Sequence, residues 1–139
     1  MQFQSQLAQD QFETYILELA NQTLERAGTV SRVDTRQFLP PTDDWQFPKY
    51  PNKTVILPPG VDLAEELRKF IQANEHLLRE PGCWLGTWIH PQTHYFYPDI
   101  ATSVLDLEEA RNMALEIGGR EGRKIVAIYN SARNEIVYL

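Results

Sequence analysis

Residues 88–99, WIHPQTHYFYPD, hold two histidines, one aspartate and four aromatic residues. Such a stretch is typical either of a metal or catalytic site or of a β-hairpin with paired aromatic side chains. Cys83 to His90 and Tyr95 to Ile100 have the composition of two strands, and Pro91-Gln92-Thr93 suits a tight connection between them. We therefore predict a hairpin at this point of the chain.

One face of this hairpin is predicted to carry most of its aromatic side chains, because alternate residues of a strand share a face. Cross-strand pairing of such side chains stabilises a hairpin by up to about 1 kcal/mol per pair, which favours a structural role. The alternative is that the face forms a ligand pocket with His90, His94 and Asp99 as its polar groups. The candidate ligand-binding residues are Trp84, Trp88, His90, His94, Tyr95, Tyr97 and Asp99.

The two hairpin histidines are too few for a metal site. Zinc needs three or four ligands, and His90 and His94 supply two. Asp99 follows His94 by five residues, which is roughly 15 Å on an extended strand. His76 falls in a predicted helix and is expected at the surface. We predict no metal site, no cofactor and no catalytic residue, and leave open whether the hairpin tip binds a metal.

The residues after the hairpin predict a helix and a second hairpin. Asp106 is a suitable N-cap with Glu109 at the capping-box position, and Gly118-Gly119 are expected to end the helix. Lys124 to Tyr129 and Glu135 to Leu139 are predicted strands, joined by a turn over residues 130–134. Residues 82–139 are therefore predicted to form a ββαββ antiparallel unit.

Two helices are predicted before this unit. Over residues 1–28 the apolar residues recur at three- and four-residue steps, and Gly28 is a natural stop. Asp62 begins the second helix, with Glu65 at the capping-box position, and Pro81-Gly82 end it. This helix spans about residues 61–80.

Residues 29–60 form a predicted irregular strap, which holds six of the nine prolines. Its aromatic residues Trp45, Phe47 and Tyr50 are expected either to pin the strap to the core or to bind a partner protein. Lys53 to Leu57 is predicted as one edge strand. The whole chain, residues 1–139, is thus predicted as a single α+β domain.

The overall charge argues against a general nucleic-acid binder, because 13 basic residues face 19 acidic ones and the net charge is −6. If nucleic acid were bound, the site would need Arg111, Arg120, Arg123, Lys124 and Arg133 to cluster. A single cysteine indicates a reducing compartment, and neither a signal peptide nor a membrane-spanning apolar run is present. A cytoplasmic location is expected.

The C-terminal part of the chain, from Gly82 onward, resembles a small ββαββ module of bacterial and phage-linked hypothetical proteins. The shared residues are Gly82-x-Trp84, Tyr95-x-Tyr97-x-Asp99, Asp106-x-x-Glu109-Ala110, Ile125 to Tyr129 and Glu135-Ile136. The preceding VILPPGVDLAEELRKFI resembles cyanobacterial hypothetical proteins. The resemblance implies a ββαββ fold and a phage or mobile-element context, and it brings no activity.

These observations favour a non-enzymatic interaction or assembly protein, because aromatic residues are plentiful and convergent polar groups are few. Its expected partner is another, unidentified protein, with a homo-oligomer as one form; nucleic acid and membranes are not expected. The first alternative is a small enzyme or ligand-binding domain that uses the aromatic hairpin face. The second alternative is a regulator of nucleic-acid machinery.

Overall fold

A computed structural model describes residues 2–139, with side chains described for residue 6 and from residue 8 onward. It has three helices and one six-stranded sheet. The helices are α1 (Gln2–Arg26), α2 (Leu63–Leu78) and α3 (Leu107–Glu121). The strands are β1 (Gly28–Ser31), β2 (Trp45–Pro48), β3 (Trp84–Ile89), β4 (Phe96–Val104), β5 (Ala127–Asn130) and β6 (Glu135–Tyr138).

The sheet has the strand order β1-β3-β4-β2-β5-β6, and all its pairs are antiparallel. The predicted α+β class and both predicted hairpins, β3–β4 and β5–β6, are therefore confirmed. The predicted self-contained ββαββ arrangement is wrong, because β2 lies between the two hairpins. Likewise, α1 and α2 do not both precede the strands of the sheet, since β1 and β2 lie between them in the segment predicted as a strap.

All three helices cover one face of the sheet. Leu85, Phe96 and Ile100 point to this face and pack with α1 and α2 in one buried cluster. Ile128 packs with α3 in a second cluster. Because side chains alternate along a strand, the residues between these positions point to the opposite face, which has no helix layer.

The starts of α2 and α3 agree with the sequence, and two helix ends do not. The first helix ends at Arg26, two residues before the predicted stop at Gly28, which begins β1. Asp62 and Asp106 accept hydrogen bonds from the backbone amides of Glu65 (3.2 Å) and Glu109 (3.0 Å), as predicted. Gly118-Gly119 do not end α3, which continues to Glu121 and is closed by Gly122 in the left-handed conformation. The residue that closes a helix in the left-handed conformation is usually glycine, and here Gly122 takes that position instead of Gly118 or Gly119.

The strap is partly regular structure. Trp45 and Phe47 of β2 are each 2% exposed and lie in the cluster with α3, so the sheet uses them as core. The predicted edge strand Lys53 to Leu57 is wrong in extent. Pro51–Lys53 form a 3-10 helix, and only Leu57 makes a β-bridge, to Phe96. This bridge extends the sheet beside β4 at an inner position, beyond the end of β2.

The sheet is coiled. The amide of Leu39 donates to the Val30 carbonyl of β1 (2.9 Å), while the amide of Thr42 donates to the Ser131 hydroxyl after β5 (2.9 Å). Three peptide units between Leu39 and Thr42 span at most about 11 Å, and the two hydrogen bonds of 2.9 Å lengthen this connection to about 17 Å. In a flat sheet, β1 and β5 would lie four strand spacings apart, about 19 Å. The sheet therefore curls, and Pro40-Pro41 bridge its two sides.

Candidate ligand-binding cavity

The concave, helix-free face of the coiled sheet lines a partly open cavity of about 720 Å³. A volume of this size suits a small organic ligand. Strand residues from this face form its floor, and the strap closes one side through Leu39, Pro40 and Pro41. The floor residues are Val30, Gln46, Pro48, Gly86, Trp88, Tyr97, Asp99, Ala101, Ala127, Tyr129 and Ile136.

Asp99 lies on the floor, directly opposite Gly86 in the β3–β4 register. A Cβ atom on Gly86 would lie 2.5 Å from Oδ1 of Asp99, so any other residue at this position would displace the carboxyl group. Among the described residues Asp99 makes no side-chain hydrogen bond and no ion pair, and it is the one carboxylate that lines the cavity. Its half-buried side chain therefore presents a free polar group to the cavity.

Burial raises the pKa of Asp99 from 3.8 to about 7. The cause is the loss of water around the charged form, and no neighbouring cation or donor offsets this loss. At neutral pH this carboxyl group is therefore divided between its acid form, which donates a hydrogen bond, and its anion. A carboxyl group with a strongly raised pKa in a cavity is a feature of functional sites.

Two aromatic rings stand beside Asp99 on the same face. Trp88 and Tyr97 are paired across β3 and β4, and their ring centroids are 5.3 Å apart with a 40° angle between the planes. Both residues line the cavity. They supply a rigid apolar wall, which is suited to the body of an organic ligand.

Three cations line the cavity at one end. They are Arg26 at the end of α1, and Arg123 and Lys124 in the segment between α3 and β5. Arg123 donates to the Thr54 carbonyl (2.7 Å), and within the described chain none of the three pairs with a carboxylate.

The other predicted site residues lie outside the cavity. His90 accepts hydrogen bonds at Nδ1 from the amides of Gln92 (3.1 Å) and Thr93 (3.3 Å), so its ring holds the hairpin turn. His94 is exposed and has a positive φ of 61° in this turn. Trp84 and Tyr95 do not line the cavity. Over residues 2–139 no group of three histidine, cysteine or acidic side chains is placed to hold a metal ion.

The predicted partner-binding residues do not form an exposed surface. Trp45 and Phe47 are core residues, and their side chains offer no surface to a partner in this fold. The Tyr50 hydroxyl donates to Glu80 (2.6 Å), which ties the strap to the end of α2. This hydrogen bond holds the pKa of Glu80 below its usual value.

The basic residues named for nucleic acid are divided among different contacts. Arg111 pairs with Glu108 on α3 (3.2 Å), and Arg133 pairs with Asp43 (2.8 Å). Two of the five charges are thereby balanced, while Arg123 and Lys124 line the cavity. The sequence shows that Arg123 and Lys124 are adjacent cations, but it does not show that they lie beside the floor of the cavity.

No helix within residues 2–139 is both long and apolar enough to cross a membrane. Comparison of this chain with models of protein families, with curated proteins and with solved structures gives no match.

Proposed function

We propose that this protein is a binding domain for a small organic ligand, held in the cavity on the concave face of the sheet. The observation that carries the proposal is Asp99, a carboxyl group on the cavity floor without a partner among the described residues. Burying such a group is costly, and a ligand that pairs with it offsets the cost.

The surroundings of Asp99 support the proposal. Gly86 leaves the space for the carboxyl group, and the paired rings of Trp88 and Tyr97 give the wall against which a ligand packs. A few placed polar groups in a mainly apolar cavity is the usual make-up of a small-molecule site. The proposed site corresponds to the alternative ligand pocket on the aromatic hairpin face, with Asp99 as a polar group but without His90 and His94.

Filling the cavity is expected to abolish binding of a neutral apolar probe. Val30 lies opposite Gly86 on the cavity floor, so Val30→Trp places an indole ring in the space that a ligand occupies. We expect the native protein to bind N-phenyl-1-naphthylamine with one site per chain, and Val30→Trp to weaken the affinity by at least about 30-fold, or about 2 kcal/mol. The measurement is titration followed by probe fluorescence.

The matched control is Leu115→Trp, which adds the same ring at a position of α3 that is 52% exposed and outside the cavity. This variant should bind the probe as the native protein does. Absence of probe binding to the native protein, or equal binding to both tryptophan variants, would count against a cavity site.

A protein–protein interaction role is the second candidate, and the occupant we infer is a second copy of this chain. Leu17 and Leu24 of α1 are 56% and 64% exposed, and two helical turns separate them, so they lie on one side of the helix. Two such helices can pair antiparallel about a twofold axis. Light scattering after gel filtration should give a dimer mass that Leu17→Ser/Leu24→Ser halves; a native monomer at high concentration would exclude this role.

A further inference from the structure

The cavity is asymmetric in charge along its length. The end near the α1 terminus holds Arg26, Arg123 and Lys124, whereas the opposite end is lined by neutral polar residues: Gln46, Tyr129, Ser131 and Asn134. This contrast is not a consequence of the overall composition, because the chain carries a net charge of −6. The positive charges at this end of the cavity attract negatively charged ligands.

The strand register places the three cations at the same end. The carbonyl of Ala27, next to Arg26, accepts from the Ile89 amide of β3 (2.9 Å). Ile89 pairs with Phe96 of β4, and Phe96 in turn pairs with Leu57. The segment before Leu57 receives Arg123 through the Thr54 carbonyl (2.7 Å). Neighbouring strands thus lead from Arg26 to Arg123 and Lys124 across one end of the coiled sheet, which we name the cationic mouth.

We infer that the ligand is an amphipathic anion, with an apolar body that packs on Trp88 and Tyr97 and a carboxylate or phosphate group that binds the cationic mouth. This inference rests on the proposed cavity site. Arginine and lysine are the usual partners of both anionic groups, and none of the three mouth cations is balanced by a carboxylate in the described chain. Carboxylate and phosphate ligands share this chemistry.

The test compares two probes that differ in one group. 1-Anilinonaphthalene-8-sulfonate has the ring system of N-phenyl-1-naphthylamine with an added sulfonate, so the ratio of their affinities reports what the anion contributes. At low ionic strength we expect the sulfonate probe to bind at least about tenfold more tightly. Arg26→Gln/Lys124→Gln should remove most of this difference, because within the described residues neither side chain makes a hydrogen bond or ion pair that its loss would disturb.

The matched control is Lys53→Gln/Arg120→Gln, which removes the same charge from residues outside the cavity. It should leave the affinity ratio within about twofold of the native value, and 0.5 M salt should lower the ratio in the native protein. Binding of the neutral probe without preference for the sulfonate would overturn this inference and leave the cavity site standing. Failure of both probes to bind would instead remove the cavity site. Among natural anions, titration with a fatty acid and with an aryl phosphate distinguishes the two headgroups.

Discussion

Asp99→Asn should raise the free energy of unfolding by about 3 to 4 kcal/mol at pH 8. The substitution removes the negative charge of the carboxylate and adds no new contact. The pKa of Asp99 is about 7 in the folded protein and 3.8 in the unfolded chain. A shift of about three units corresponds to about 4 kcal/mol at 1.36 kcal/mol per unit. Asparagine has the same shape and no charge to desolvate, so most of this cost is removed.

The pH dependence of this effect follows from which state holds the proton. Below about pH 4 the carboxyl group is protonated in both states, and Asp99 contributes no penalty. Between about pH 4 and 7 the folded protein keeps the proton that the unfolded chain releases, so the stability of the native protein falls as the pH rises. Above about pH 7 both states are ionised and the penalty is constant. The Asn variant should lack this decline.

Urea denaturation of both proteins at pH 4, 5.5, 7 and 8 measures the effect, and the melting temperature at pH 8 should rise by about 10 °C. Glu116→Gln on the exposed side of α3 is the matched control, since it removes one carboxylate in water and should change the stability by less than about 0.5 kcal/mol. Equal stability of Asp99→Asn and the native protein at pH 8 would show that Asp99 is ionised without cost.

Local signals in the sequence predicted the helices well and the sheet order poorly. Asp62 and Asp106 act within three residues of themselves, so their capping role is readable from the chain. The position of β2 depends on pairing with Thr102 and Ser103, more than fifty residues away, and on one bridge to Tyr129. The four residues of β2, which end at Pro48, contain no local feature from which pairing with β4 and β5 could be predicted.

The same distinction explains how much of the cavity was predicted. Strand alternation correctly placed Trp88, Tyr97 and Asp99 on one face, because that periodicity is local. The space around Asp99 depends on the register between β3 and β4, which places Gly86 opposite Asp99. The coil of the sheet depends on the Thr42–Ser131 contact, between residues 89 positions apart. Neither the depth of the cavity nor the cationic mouth is therefore visible in any one segment.

The second large effect on stability is expected at Gly118, the first glycine of the pair that was predicted to end α3. A Cβ atom at Gly118 would meet the carbonyl oxygen of Arg123 at 3.1 Å and the amide nitrogen of Ile125 at 3.2 Å. Both are backbone atoms, which cannot rotate away as a side chain does. The helix passes this close to the segment that holds Arg123 and Lys124, so Gly118 sets the position of the cationic mouth.

Gly118→Val should therefore destabilise the protein by about 3 kcal/mol, at the upper end of the range for overpacking. Gly119→Val is the matched control: at the next position a Cβ atom would meet nothing within 4 Å, and the residue is exposed. Valine and glycine differ by only a few tenths of a kcal/mol in helix propensity, so this variant should stay within about 0.5 kcal/mol of the native protein. Urea denaturation of the three proteins gives the difference, and equal stability of the two variants would mean that residues 123–125 move aside freely. In that case Gly118→Val should still lower the affinity for the sulfonate probe, because the displaced backbone carries the mouth cations with it.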